Sequence, residues 1–261
     1  MGVPSVGVTF SLPVRDTRVN ASHTRGMDSC CGGPTNPGPG DHGPGDHSPD
    51  HHGYDAIFDS RFSRSIAKRY GRKGLRPAER QIVDFLSGSG IEGATVLEVG
   101  GGVGEIQLEL LKRGAARTLN LELSGAYEED ALRLIEQEGF GGRVERRLGV
   151  DVAKEGDGVE PADIVVLHRV VCCYPDYARL LGAAAEHARR ALVFSYPTAN
   201  PASRTFIRLM NGLLGATGNS FRGFVHSPSA MANVVRSQGL EPTFHWNSPV
   251  WHVLGAVRPA A

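Results

Sequence analysis

Four glycines and two acids carry the first chemical signal in the chain. In T-V-L-E-V-G-G-G-V-G-E, Thr95 to Glu105, the glycines Gly100, Gly101, Gly102 and Gly104 strip β-carbons from one short turn and open positive φ values to it. A flat or extended ligand can lie directly on such a backbone. A dinucleotide turn reads G-x-G-x-x-G, and counting from Gly100 sets Glu105 where the last glycine belongs. A carboxylate there opposes a pyrophosphate at a helix N-terminus, so the pattern points to a ligand without one. Glu122, 24 residues after Glu98 and followed by Leu123, stands where an acid closing the second strand of a nucleoside-binding sheet accepts hydrogen bonds from ribose hydroxyls. The alternative for Glu122 is a surface glutamate at a strand end.

A second group of reactive side chains is H-R-V-V-C-C-Y-P-D, directly after the apolar run Ala162 to Leu167. His168 there is a candidate general base for a hydroxyl or amine, or it only bonds the loop or the ligand. Tyr174 is a second candidate for proton transfer, and Arg169 for holding a ligand. The adjacent thiols Cys172 and Cys173 read as packing, with binding of a soft metalloid as the other possibility.

These groups need elements to hold them. Val96, Leu97 and Val99 form a short β-branched run suited to a buried parallel strand, which the glycines end. From Val103 a helix follows with Val103, Ile106, Leu110 and Leu111 on one face and Glu105, Gln107 and Glu109 mostly elsewhere. Further strands are expected at 117–122, 144–148, 162–167 and 191–196, with a closing hairpin of 243–246 and 250–257. Helices alternate with them: Ser124 caps one to about Glu138, Asp176 leads one to about Arg190, and another ends near Gln238. A stretch from Ala202 to Leu214 is expected to shape an acceptor pocket with Phe206, Met210 and Phe221. Ahead of the first strand, an amphipathic helix from Tyr54 carries Ile57, Phe58, Phe62, Ile66 and Ala67, and a second runs from Pro77 to about Ser87. They could cap the site.

The run E-x-G-x-G-x-G, at Glu98, Gly100, Gly102 and Gly104, resembles motif I of class I S-adenosylmethionine-dependent methyltransferases. The pieces V-L-E-V-G-G-G-V-G, H-R-V-V-C-C-Y-P-D, L-V-F-S-Y-P and F-V-H-S-P are most similar to magnesium-protoporphyrin O-methyltransferases and related bacterial proteins, although that loop commonly begins with an acid where this chain has His168. The resemblance covers about residues 75–257. It implies a Rossmann-like α/β fold with a mostly parallel seven-stranded sheet ending in an antiparallel hairpin and helices on both faces. It implies S-adenosyl-L-methionine as cofactor, held by Glu98, Gly100, Gly101, Gly102, Gly104, Glu122, Leu123, Asp151, His168 and Arg169. Asp151 is the candidate for the adenine amino group, displaced by one residue because Val150 follows Gly149. His168 and Tyr174 are the catalytic candidates. The implied reaction is methyl transfer to a small molecule, at an anionic or hydroxyl oxygen; a metalloid acceptor bound by the paired cysteines and a non-catalytic sensor of the donor or of a metal are the rivals.

Composition bounds the rest. Among 261 residues the formal net charge is zero, so the whole molecule has no generic attraction for nucleic acid or a membrane surface, and any such attraction is local. No apolar run approaches the ~20 residues of a spanning helix, and a cytoplasmic protein with a small-molecule partner is expected. The cysteines form two adjacent pairs, Cys30 with Cys31 and Cys172 with Cys173, which suits reduced thiols. Residues 1–53 are rich in Gly, Pro, Asp and His and read as a disordered tail with Met27 as a candidate start; a loose metal chelate at His42, His47, His51 and His52 is the lesser reading, and no metal site is expected. Residues 54–261 form the folded domain.

Overall fold

The computed structural model describes residues 57–259; the expectations for the tail, its histidines, Cys30, Cys31 and Met27 lie outside the described residues. One sheet of seven strands organises the domain: β1 (Thr95–Val99), β2 (Arg117–Glu122), β3 (Val144–Leu148), β4 (Ala162–Leu167), β5 (Ala188–Pro197), β6 (Glu241–Asn247) and β7 (Trp251–Val257), in the order β3-β2-β1-β4-β5-β7-β6. β1 to β5 are parallel, and β7 runs antiparallel to both β5 and β6. From β1 the chain winds outward to β2 and β3, then returns to β4 on the other side. The carboxyl ends of β1 and β4 therefore flank the switch point where open α/β sheets receive ligands.

The helices are α1 (Ser60–Lys73), α2 (Pro77–Gly88), α3 (Glu105–Lys112), α4 (Glu128–Gln137), α5 (Val152–Glu155), α6 (Tyr177–Glu186), α7 (Pro201–Ala216) and α8 (Pro228–Ser237). Leu180, Leu181, Met231 and Val235 of α6 and α8 cover one sheet face, and Ile82, Leu86, Leu108 and Leu110 of α2 and α3 cover the other, all essentially inaccessible. Helices on both faces explain why Ile164–Leu167 of β4 and Ala191–Phe194 of β5 read as unbroken apolar runs.

Several local expectations are corrected. α3 begins at Glu105 and is buried nearly all round, Gln107 included, because α2 covers the side away from the sheet. Ser124 caps a single turn at Gly125–Tyr127, and α4 starts only after it. The alanine-rich helix α6 stops at Glu186, and Ala188 already pairs with Ala162. α7 buries no residue, and Phe206 and Met210 are 62% and 40% exposed instead of lining a pocket. Phe221 meets the ring of Phe58 at 5.6 Å between centroids.

α1 forms a roof over the switch point. Asp59 caps it by accepting from the backbone N–H of Arg61 and Phe62, and Gly74, at φ 65°, ends it. Only Ser63, Ala67 and Tyr70 of α1 are buried. Ser63 Oγ donates to Asp130 Oδ2 at 2.7 Å, and the Tyr70 hydroxyl donates to Glu109 Oε1 at 2.7 Å, fastening the roof to α4 and α3.

Candidate active site

A cavity opens at the carboxyl ends of β1, β2 and β4. Its floor is Gly100, Gly101, Gly102 and Glu122, its far wall Asp151 and His168, and its roof Phe58, Phe62 and Ile66. The floor is fixed from two sides. Glu122 Oε2 accepts from Gly102 N at 2.8 Å and its Oε1 from Ser124 N at 3.0 Å, while buried Arg146 donates to the Gly102 carbonyl at 3.1 Å and pairs with Glu128 at 2.9 Å. Burial raises the Glu122 carboxyl, partly offset by the N–H groups of Ser124 and Gly102.

Not every glycine is bare for a ligand's sake. Gly100, Gly102 and Gly104 adopt φ of 64°, 56° and 85°. A β-carbon on Gly101 would fall 2.4 Å from Asn120 Nδ2 and 2.6 Å from Glu98 Cδ, so that glycine is required by the protein's own packing. Gly104 does not line the cavity; it caps α3, where a β-carbon would strike Gln107. Glu98 lies under the turn, 1% exposed, with Oε2 lacking a hydrogen bond among the described residues. Burial, then the nearby Glu105 charge, raise its carboxyl well above the usual range.

The loop after β4 forms the wall. Arg169 takes the left-handed backbone, φ 62°, which turns its N–H onto Ser195 Oγ at 2.9 Å; the same hydroxyl lies 3.0 Å from His168 Nδ1. His168 Nε2 faces Glu79 Oε1 at 3.7 Å, within reach of an ion pair but too long for a hydrogen bond. Burial pushes the His168 ring down in pKa despite that carboxylate. Glu79 is 1% exposed and also receives Arg69 Nη2 at 3.1 Å and the Arg76 N–H at 2.5 Å. Burial alone would raise its pKa, but His168, the Arg76 N–H and the Arg69 charge hold it down at about 2. Glu105, on the same cavity wall, is pushed up to about 7 by burial and by the charge of Glu79.

Tyr174 and Asp151 are tied to each other. The phenol donates to Asp151 Oδ2 at 3.0 Å, and Asp151 Oδ1 accepts from Ala153 N at 3.0 Å as the cap of α5. Burial and the neighbouring Asp151 raise the phenol's pKa, so the hydroxyl keeps its proton. The sulfurs of Cys172 and Cys173 lie 3.6 Å apart over the Arg169 carbonyl, and only Cys173 borders the cavity. Among the described residues no group of three or more His, Cys, Asp or Glu could hold a metal ion.

A family model described as a methyltransferase domain matches residues 70–243. The chain belongs to this methyltransferase family. Its sheet order is that of class I S-adenosylmethionine-dependent methyltransferases, the class the sequence resembles, and S-adenosylmethionine is the methyl donor of that class. A comparison with curated proteins finds no match. Among solved structures, a magnesium protoporphyrin IX methyltransferase from Synechocystis, crystallised with bound SAH, is 19% identical, with a TM-score of 0.61, over 80% of this chain and 100% of that one. An O-methyltransferase family protein from Burkholderia thailandensis is 22% identical, with a TM-score of 0.60, over 81% of this chain and 64% of that one. An O-methyltransferase family 2 protein from Planctomyces limnophilus, in complex with apigenin, is 20% identical, with a TM-score of 0.57, over 77% and 62%. At these identities the likeness is one of fold.

In this methyltransferase Glu98, Gly100, Gly101, Gly102, Glu122, Leu123, Asp151, His168, Arg169 and Tyr174 all border one cavity, and of the ten cofactor candidates only Gly104 does not. Glu79, Glu105, Arg146 and Ser195 were not anticipated as site residues. One signal for Glu79 was available: it is the single acid between Ser60 and Val83, in a segment otherwise rich in arginine and lysine.

Proposed function

We propose that S-adenosylmethionine lies on the Gly100–Gly102 turn with its ribose at Glu122 and Leu123 and its adenine toward Asp151, and that the methyl group goes to an oxygen of a small anionic molecule under α1. The observation that carries this is the pinned turn: Gly102 held through N–H by Glu122 and through C=O by Arg146, with bare backbone beside a cavity. Arg169 has no ion pair among the described residues and sits 5.0 Å over the Trp251 ring, leaving its charge for the donor's carboxylate. Arg76, 3.9 Å from Glu79 through Nε and one-third exposed, borders the same cavity beyond it and suits the acceptor's anion. Bound S-adenosylmethionine supplies a methyl on a sulfonium for in-line displacement, so the chain's task is to align the nucleophile and exclude water. Phe58, Phe62 and Ile66 serve the second task.

A carboxylate is the acceptor this wall suits best, because it is already ionised. His168 is held between Ser195 and Glu79 and acts as a positioning residue for the loop, and Tyr174 is committed to Asp151. The second reading, a hydroxyl acceptor, is favoured by Glu105, which near pH 7 is half ionised at the cavity wall and could accept its proton. The test is isotopically labelled donor with fractionated metabolites. Label entering a base-labile methyl ester supports the carboxylate reading; label in a base-stable ether, lost with Glu105→Gln, supports the hydroxyl. Binding of donor without turnover in any fraction would favour a sensor, and activity lost on Cys172→Ser and Cys173→Ser with donor affinity unchanged would favour a metalloid.

A further inference from the structure

Among the described residues, Arg169 alone takes a left-handed backbone without being glycine, at φ 62°. That conformation is strained for a residue with a β-carbon, so something must hold it. Its N–H donates to Ser195 Oγ at 2.9 Å, and Ser195 is fully buried near the carboxyl end of β5. The guanidinium, at the far end of the same residue, sits 5.0 Å over the ring of Trp251. Trp251 opens β7 and pairs with Pro197, two residues past Ser195. Both anchors of Arg169 thus belong to one strand pair, β5 with β7. Its Nε is buried with no hydrogen-bond partner among the described residues, and the residue borders the cavity. A buried cationic donor left open in a cavity wall suits an anion.

The same hydroxyl decides where His168 carries its proton. Ser195 Oγ already accepts the Arg169 N–H and lies 3.0 Å from His168 Nδ1. Burial lowers the ring's pKa, so above neutral pH it keeps one proton. Were that proton on Nδ1, the serine hydrogen would be shut in without an acceptor among the described residues, and bare Nε2 would face the Glu79 carboxylate at 3.7 Å. Both penalties vanish when the hydroxyl donates to Nδ1 and the proton sits on Nε2.

We infer that Ser195 is a positioning residue of the methyl-donor site: one hydroxyl holds His168 as the Nε2–H tautomer and Arg169 in its left-handed turn, which delivers the guanidinium to the carboxylate of S-adenosylmethionine. Ser195 has this role only if Arg169 holds that carboxylate, as proposed above.

Two measurements test it. In the wild-type protein at about pH 8, above the ordinary histidine range, long-range nitrogen–proton NMR correlations should place the His168 proton on Nε2. The His168 signals are identified by their loss in His168→Gln, and a proton on Nδ1 overturns the assignment. Calorimetry then compares affinity for S-adenosylmethionine in Ser195→Ala, Arg169→Gln and the double variant. Each single change should weaken binding about tenfold, as for loss of one charge-assisted hydrogen bond, and the double variant no more than Arg169→Gln alone. A Ser195→Ala that merely loosened the fold would weaken binding as much in the Arg169→Gln background as in wild type. Unchanged affinity in Ser195→Ala, or losses that multiply in the double variant, therefore overturn the role of Ser195 and leave that of Arg169 standing. Unchanged affinity in Arg169→Gln removes Arg169 from the donor's carboxylate, and the role of Ser195 with it.

Discussion

Glu79 Oε1 stands 3.7 Å from His168 Nε2, joining a helix that precedes the sheet to the loop that follows its fourth strand. Both groups are buried, and both titrate below their ordinary values: Glu79 at about 2 against 4.5, and His168 below 6.5. In each case the unfolded chain binds the proton first. Stability contributed by His168 is therefore lost as pH falls below about 6.5, and that of Glu79 as pH falls from about 4.5 toward 2. Thermal melts across this range should show Tm falling in both windows. Glu79→Gln should lower stability at pH 7 by about 3 kcal/mol by leaving Arg69 unpaired, and should flatten the more acidic window.

Glu105 behaves with the opposite sign. Its folded pKa, about 7, lies above the ordinary 4.5, so the folded state holds a proton that the unfolded chain has lost and stability falls as pH rises from about 4.5 to 7. Glu105→Gln should raise stability at pH 8 by on the order of 3 kcal/mol, seen as a higher Tm, and have little effect at pH 4. Equal effects at both pH values would mean that the carboxyl is not held protonated.

Gly102 and Gly101 should separate binding from folding. Gly102→Val forces a β-branched residue to φ 56°, costing about 1–2 kcal/mol, and adds bulk beside Tyr127 at the cavity floor. Circular dichroism should stay native while calorimetric affinity for S-adenosylmethionine is lost. Gly101→Ala, whose β-carbon would overlap Asn120 and Glu98, should instead reduce the folded yield.

Arg76→Gln should raise KM for the acceptor about tenfold while leaving donor affinity unchanged, as expected for loss of one charge-assisted contact. Glu79 keeps its bond to the Arg76 backbone N–H in this variant, so the melting temperature reports whether the wall survives. A donor affinity that fell in parallel would move Arg76 to the donor's side of the cavity.

Much of this architecture was legible in the residues. β2, β3 and β4 begin and end where the periodicity sets them, and Glu122 at the end of β2 meets the glycine turn as its spacing required. What failed was of a different kind. A-R-R after His187 continues an alanine-rich helical run by propensity, yet pairing of Ala188 with Ala162 draws it into β5. Phe206 and Met210 were expected at a pocket and are exposed, because apolar type alone does not say whether a side chain turns to the cavity or to solvent. The partners of Glu79 and Ser195 come from distant elements, His168 being 89 residues from Glu79 and 27 from Ser195. Only the winding of the sheet brings them together.

The hydroxyl contacts from Ser63 to Asp130 and from Tyr70 to Glu109 are bonds that water can take over at little cost, unlike an oily seam of the same length. The first helix, with only Ser63, Ala67 and Tyr70 buried, thus peels away more cheaply than the sheet it covers, and reactants can come and go by breathing at that edge while the sheet stays whole. Amide hydrogens of residues 60–73 should accordingly exchange well ahead of those in β1 and β4, and slow down when S-adenosylmethionine is bound.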